Sequence, residues 1–503
     1  MATLKDFRNE RLRKLKSLRD MSINPYPAES HRTHSASEIK SRYESLEGDV
    51  VTVAGRIIGI RKFGKLAFIV VKDYSGHIQL VLQSDLVGGL DVSKNQIGVD
   101  ELPLLDTGDF IEAFGKVIKS KTDEISVQVT NLGLLTKSLR PMPGVIDGFT
   151  NKEERLRRRY VDININQTVR DRFVRRSKFW QATRDFLNQN DFIEINTPVL
   201  EHTTGGADAN PFVTHMDALD QDFYLRISHE LPLKRLIGAG YEKVYDIGPR
   251  FRNENYSDEH LPEHIAMEWY WAYADWQDGM KFMEDLYRYV LDQAFGTLQF
   301  HINDMDIDMS KPWESLDYAT AIKDKYSIDV YNSSIDDIKK ALSDSGLEVR
   351  QTESRARSID KLWKNIRKDV NGPIWLINTP KFISPLAKSN PGDDQTVQRF
   401  QAIIAGSELC NGFSELNDPI DQLNRFVEQQ EMREAGDSEA MMLDIDFVEM
   451  LEYGMPPACG LGFSERVFWV FEGVSAREGV PFPQLRSEID NTTRDIYPDI
   501  KLR

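Results

Sequence analysis

Two arms of alternating character flank a polar segment between Tyr245 and Asp275, YDIGPRFRNENYSDEHLPEHIAMEWYWAYAD. No other stretch constrains the fold as strongly. A period of two is that of paired β-strands, because successive side chains in a strand point to opposite faces. On the first arm Arg250, Arg252 and Glu254 then share one face, and on the second His264, Ala266, Glu268 and Tyr270 do the same. Two arginines, two acids, a histidine and a tyrosine are costly to bury unpaired, so such a face meets a ligand or a partner charge. The alternative is a solvated hairpin face carrying surface ion pairs, and the spacing alone leaves both open.

At 503 residues the chain exceeds one ordinary core, so two or more domains are expected. Hydrophobic content of 40% and charged content of 28% are those of a soluble globular protein. The sequence contains no run of about 18 apolar residues, and its N-terminus is charged rather than signal-like, so a cytoplasmic location without membrane contact is expected. Cys410 and Cys459 are the only cysteines, which excludes a disulfide scaffold and a cysteine-built zinc site. A net charge of −17 argues against an indiscriminate nucleic-acid binder, while a local basic patch can still hold a phosphate backbone.

Leu4, Phe7, Leu12, Leu15 and Leu18 recur at roughly helical spacing among basic residues before Pro25 and Pro27 stop the helix. Such a helix is either a solvated one packing a thin stripe or a basic arm for phosphates. From Val51 to about Leu135 the runs VTVAGRIIGI, AFIVVKD, HIQLVLQ, FIEAFGKVI and EISVQVTNL alternate between turns, which suits a small Greek-key barrel of the OB type. Such a barrel stacks bases on aromatics beside basic groups, here Phe63 and Phe68 with Arg61, Lys62 and Lys65, or serves as a plain scaffold. A charged helix follows, whose Arg155, Arg157, Arg158 and Arg159 either touch nucleic acid or form a solvated face. The expected division is an N-terminal helix and linker over 1–48, the barrel over 49–137, a linker over 138–168 and a larger domain over 169–503. Within the last, 301–380 has mixed character and suggests no chemistry of its own.

A third polar strand face lies in RFQAIIAGSELCNGFSELNDP, residues 399 to 419, where Asn411, Phe413 and Glu415 are spaced by two. With Glu230 in RISHELPLKR and Glu268 on the hairpin, it offers three carboxylates to one pocket. Converging acids need a cation, either a metal cluster or a ligand ammonium.

FRNE, a loop, a histidine and EWYWAYAD resemble motif 2 of the class II aminoacyl-tRNA synthetases. FLNQNDFIEINTPVL resembles their motif 1, and GLGFSERVFWVFEGV their motif 3, in the same chain order. The surrounding letters are similar to the lysyl-tRNA synthetases over nearly the whole chain. The resemblance implies an α+β protein, with an N-terminal OB-fold β-barrel followed by a class II antiparallel-sheet catalytic domain. It implies a homodimer built on motif 1, and as partners tRNA(Lys), L-lysine and ATP, with magnesium (Mg2+). Phe68 would stack an anticodon base, with Gln79 and Glu124 reading base edges. Glu230 and Arg252 would fix the α-amino and α-carboxylate groups of lysine. Glu268, Glu415, Tyr270 and Asn411 would hold its side-chain ammonium, and Gly206 and Phe413 would shape the wall. Arg252 would also bridge to the α-phosphate of ATP, Glu254 would contact the adenine amino group, and Arg466 would meet the γ-phosphate. His260 and His264 would add ATP contacts, and Glu408 would hold the metal.

Four positions depart from the family pattern. Glu259 stands where a phosphate-binding arginine is usual, His264 where a phenylalanine stacks on adenine, and Gln401 in place of a second metal-binding acid. Motif 3 is one residue short, so Phe463 is expected beside the adenosine in place of a glycine. Imidazole can stack, His260 can reach a phosphate if protonated, and Mg2+ leans on substrate phosphates. Three alternatives to a lysine–tRNA ligase follow: a lysine-activating paralogue that modifies a protein, an RNA-binding or regulatory protein on a synthetase scaffold, and aspartyl or asparaginyl specificity. The intact barrel opposes the first and the three carboxylates oppose the last.

Overall fold

The computed structural model describes residues 2–143, 149–254, 257–349, 354–437 and 439–500. Residues 144–148 of the expected linker and 255–256 of the hairpin loop lie outside them. The chain forms two compact units, Met1–Asn151 with Arg486–Arg503, and Lys152–Leu485.

In the first unit the strands Val50–Phe63, Leu66–Lys72, His77–Gln83, Phe110–Lys119 and Ile125–Thr136 form one sheet. His77–Gln83 pairs in parallel with Ile125–Thr136, which closes the barrel. Alternation decides its inside: Ile69, Val71, Leu80, Leu82, Val127 and Val129 are buried, while the residues between them face outward. The helix Leu4–Asp20 is capped by Thr3 and Asp6 and buries Leu15 and Leu18. Two of its basic residues are used internally, since Arg11 donates to Ser138 Oγ at 2.6 Å and to the Thr107 carbonyl at 2.9 Å, and Lys14 pairs with Asp106 at 2.7 Å.

The second unit is built on an eight-stranded sheet. Its strands run in the order Glu314–Asp317, Ile374–Ile377, Arg399–Ile404, Ser407–Ser414, Ala458–Ser464, Glu263–Ala272, Lys243–Phe251 and Ile193–Glu194. The six inner strands are antiparallel, and each edge strand is parallel to its neighbour. The helices Gln167–Gln189 and Trp276–Phe295 supply Phe179, Trp180, Leu286 and Tyr287 to the main core, which also takes Trp269, Leu461 and Phe463 from the sheet. Each such fully buried large side chain stabilises the layer by about 1.5–3 kcal/mol. Both cysteines are free and buried. The arginine cluster before the first long helix is engaged by acids, with Arg155 and Arg159 on Asp162, Arg157 on Glu153 and Arg158 on Glu154. The helices Tyr318–Tyr326, Ile335–Asp344 and Arg355–Arg367 close a smaller core around Trp363 and Tyr318.

Candidate functional site

The side of the sheet away from the main core carries the site, and strand register sets its grid. Asp246, Glu268, Gly462, Asn411 and Gln401 align in one row, and Val244, Tyr270, Gly460, Phe413 and Arg399 in the next. The central strand contributes glycines to both rows. A Cβ at Gly460 would collide with Glu415 Oε1 and the Tyr270 ring, and one at Gly462 would stand 3.0 Å from Glu268 Cγ. Gly206, at φ +83°, lies against Ser228 and Glu230, where a Cβ would stand 2.8 Å from Ser228 Oγ. These glycines leave open a cavity of about 700 Å³.

Every residue expected to bind lysine or ATP lines this cavity except Glu415. The first hairpin strand ends at Phe251, so Arg252 and Glu254 lie beyond the region of strict alternation. They reach the same space because the Arg252 amide donates to the Pro262 carbonyl at 2.9 Å and the Asn253 amide to the Asn210 carbonyl at 2.7 Å. Glu268 is buried and accepts from Ser228 Oγ at 2.8 Å and from the His229 amide at 3.1 Å, with Arg250 Nη1 at 3.9 Å. The Tyr270 hydroxyl points to its other oxygen at 3.4 Å. Burial, reinforced by Glu230, Glu268 and Glu415, keeps that phenol protonated.

Glu415 does not line the cavity, and it pairs with a residue that sequence reasoning missed. Lys234, fully buried in the helix Glu230–Gly238, lies 2.6 Å from Glu230 Oε1 and forms an ion pair with Glu415. Its ammonium also stands 5.2 Å from the centre of the Phe413 ring. Burial works against the Lys234 charge, but the two carboxylates outweigh it and raise its pKa. Burial pushes Glu230 up to about 7 even beside Lys234, and it raises Glu415 well above the usual carboxylate range. The available signal was the spacing in ELPLK, where Glu230 and Lys234 stand four apart on a helix.

On the side of the cavity expected to receive the nucleotide, Arg250 Nε donates to His264 Nε2 at 2.7 Å, and His264 Nδ1 lies 3.2 Å from the Leu261 carbonyl. Burial and the neighbouring arginines hold His264 neutral, far below its ordinary pKa. His260 is also held down, first by burial and then by Arg466, so near pH 7 it is neutral rather than the cation considered from sequence. Arg466 pairs with Glu259, the acid that stands in place of the family's arginine. Arg399 Nε donates to Asn411 Oδ1 at 2.7 Å and fixes that amide. Phe463 is among the residues that line the cavity, while its ring belongs to the main core. It opposes Met267 in register, so its side chain points to the far side of the sheet and stacks on Trp180 at 5.9 Å. Gln401 is buried in the row of Asn411, and Glu408 lines the cavity. Among the described residues no group of three His, Cys, Asp or Glu could hold a metal.

On the barrel, Phe68 and Gln79 share the outer face of adjacent strands, since Phe68 opposes Val81 and Gln79 opposes Val70. Phe63, 63% exposed, sets its ring edge-on to Phe68 at 6.3 Å. Gln79 Nε2 donates to Ser126 Oγ at 3.0 Å, and Glu124 pairs with Lys40 at 3.4 Å.

A closed OB barrel and a mainly antiparallel sheet with three acids and several arginines on one face define a class II synthetase architecture. The family of tRNA synthetases class II (D, K and N) matches residues 151–486, and the OB-fold nucleic acid binding domain matches residues 51–135. The lysine–tRNA ligase of Fervidobacterium nodosum is 41% identical over 99% of this chain and 97% of its own. Those of Thermosipho melanesiensis and Thermotoga maritima are each 41% identical, over 96% and 95% of this chain and 96% of theirs. The chain belongs to the lysine–tRNA ligase family of class II synthetases.

Proposed function

We propose that this chain activates L-lysine with ATP to lysyl-adenylate and transfers lysine to the 3' end of tRNA(Lys). The observation that carries the reading is the buried acid cluster: Glu230 and Glu415 share one resident ammonium, Lys234, and Glu268 stands 3.9 Å from Arg250, with Arg252 lining the same cavity and without an ion pair among the described residues. A ligand with two ammonium groups and one carboxylate suits that distribution, and an uncharged analogue leaves buried carboxylates unpaired. An aspartate or asparagine side chain brings no cation to it.

In this reading Glu230 and Arg252 take the α-amino and α-carboxylate groups, while Glu268, Tyr270 and Asn411 take the side-chain ammonium between Gly206 and Phe413. Glu415 acts from behind, by holding Lys234. The lysine carboxylate attacks the α-phosphate in line and expels pyrophosphate, and a terminal ribose hydroxyl of tRNA then attacks the acyl carbon of the mixed anhydride, forming the ester and releasing AMP. The protein positions groups and stabilises charge, so no nucleophilic side chain is needed. Arg252 bridges carboxylate and α-phosphate, Glu254 accepts from the adenine amino group, neutral His264 stacks on the base, and His260 donates as a neutral imidazole. Arg466 meets the γ-phosphate on leaving Glu259. Mg2+, bound through the nucleotide phosphates and Glu408, would neutralise phosphate charge, and Gln401 beside the Asn411 row contributes no second carboxylate.

Phe68 and Gln79 on the barrel receive the anticodon, with Glu124 at the edge of the same surface. The exposed edge strand Ile193–Glu194, within motif 1, supports a homodimer. No described helix is long and apolar enough to cross a membrane, and a translation enzyme of this composition is placed in the cytoplasm. Amino-acid-dependent ATP–pyrophosphate exchange with all twenty amino acids, followed by charging of tRNA(Lys), tests the reading. Exchange with lysine is expected. Exchange with none, alongside retained tRNA binding, would replace the enzyme by an RNA-binding protein on the same scaffold.

A further inference from the structure

The inserted segment, which suggested no chemistry in sequence, supplies one wall of the cavity. Its helix Arg355–Arg367 is capped by Ser354 and buries Ile359, Leu362, Trp363 and Ile366. That packing turns a stripe of Arg357, Asp360, Lys364 and Arg367 toward the cavity, at the i, i+3, i+7 and i+10 positions of one helix face. Three of the four are satisfied within the protein. Arg357 pairs with Asp437 at 3.2 Å and Glu439 at 3.1 Å, and Asp360 pairs with Lys364 at 2.7 Å. Arg367 makes no ion pair and no side-chain hydrogen bond among the described residues, and its Nε is buried without a partner.

The other arginines around the cavity sharpen the contrast. Arg250 is bonded to His264, Arg399 to Asn411, and Arg466 to Glu259. Only Arg252 shares the unpartnered state of Arg367 among the described residues, and Arg252 is the residue read as meeting the substrate carboxylate and α-phosphate. Arg367 also lies close enough to Arg466 for its charge to help depress the Arg466 pKa, after the larger effect of burial. Two guanidinium groups that repel across a cavity become favourable when an anion sits between them.

We propose that Arg367 is a phosphate-binding residue for the polyphosphate chain of ATP, delivered by the inserted helix beside Arg466. This rests on the ATP reading of the same cavity and extends it to an element outside the three motifs. The guanidinium supplies two parallel donors to phosphate oxygens, and it restores the positive charge that Glu259 removes from the hairpin loop.

Calorimetric titration of the full chain with ATP and with AMP, together with KM values for ATP and lysine in pyrophosphate exchange, tests the assignment on Arg367→Gln and Arg367→Lys. Arg367→Gln should weaken ATP binding about tenfold or more, as loss of a charge-assisted bond predicts. AMP binding and the KM for lysine should stay at wild-type values, and Arg367→Lys should recover part of the loss. Wild-type ATP affinity in Arg367→Gln would overturn the proposal while leaving the ATP reading intact. An equal loss for AMP would reduce Arg367 to a structural role, and a loss confined to tRNA charging would assign it to the tRNA end; either result overturns the proposal. A wild-type chain that binds no ATP would overturn both.

Discussion

Replacing Lys234 by methionine removes one ammonium and keeps most of the side-chain volume. Its side chain and that of Glu415 are fully buried, and that of Glu230 is 6% exposed, so no water takes over the lost contacts. Removing one partner from a buried ion pair costs about 3–5 kcal/mol, because an uncompensated charge stays behind. Over the roughly 330 residues of the second unit, a typical unfolding entropy of about 2.1 cal/mol/K per residue converts this to a melting-point drop of about 4–7 °C. The loss also has a pH sign. Without the ammonium, Glu230 and Glu415 keep folded pKa values above their unfolded ones, so their contribution is fully present at low pH and disappears as pH rises through the folded values. Glu230 already stands at about 7 in the wild type. The deficit of Lys234→Met should therefore be larger at pH 8 than at pH 5. Calorimetric melts at both pH values measure it, with Lys234→Met/Glu415→Gln as the partner variant that removes one stranded charge and recovers stability. If Lys234→Met melts with the wild type at both pH values and keeps its KM for lysine, the ion-pair account of the pocket is wrong.

Glu201 gives a second pH test: burial raises it to about 8, and its Oε2 has no hydrogen-bond partner. The wild type loses stability as pH rises from the unfolded carboxylate range through that value, so Glu201→Gln should match it near pH 5 and exceed it at pH 9 by up to about 4 kcal/mol in urea titrations. Gly460→Ala places a methyl group against Glu415 and Tyr270 in the middle of a sheet. It should cost about 1–3 kcal/mol and raise the KM for lysine more than that for ATP, and unchanged lysine kinetics would remove Gly460 from the pocket floor. Phe68→Ala should leave pyrophosphate exchange intact and weaken tRNA binding by about 1–3 kcal/mol, the worth of one stacked base. Wild-type charging kinetics would mean that the barrel face around Phe68 does not meet the anticodon.

Regular alternation made the barrel and the central hairpin legible, because a period of two fixes both the strand and its buried face. The same rule places Glu268 and Tyr270 together, and register with Gly460 and Gly462 completes the pocket floor. It loses force at Phe251, where the strand ends, and Arg252 and Glu254 are brought in by loop hydrogen bonds that no periodicity announces. Lys234 was hidden for a different reason: ELPLKRLIG reads as an ordinary amphipathic helix, and only the fold shows that its lysine points inward. Arg367 lay in a segment whose pattern spoke only of packing, and its meaning comes from what the other cavity arginines already hold.

The departures from the family pattern look different once their partners are known. A cavity losing its function accumulates residues that leave neighbours unsatisfied, whereas three of the four substitutions here are matched. His264 accepts from Arg250 and stays neutral, which keeps an uncharged ring at the proposed nucleotide position. Glu259 holds Arg466 at the cavity instead of leaving two arginines to repel there. Phe463 borders the cavity, but its ring packs in the main core with Trp180 and Tyr287, so the bulk of the residue is taken up there. With three of the four positions compensated and the acid cluster in place, the enzyme is favoured over a scaffold retained for RNA binding alone. The fourth, Gln401, would leave the proposed metal to Glu408 and the phosphates. In the proposed reading, nucleotide affinity then depends more on guanidinium groups, Arg252, Arg466 and Arg367, than on protein carboxylates around a metal.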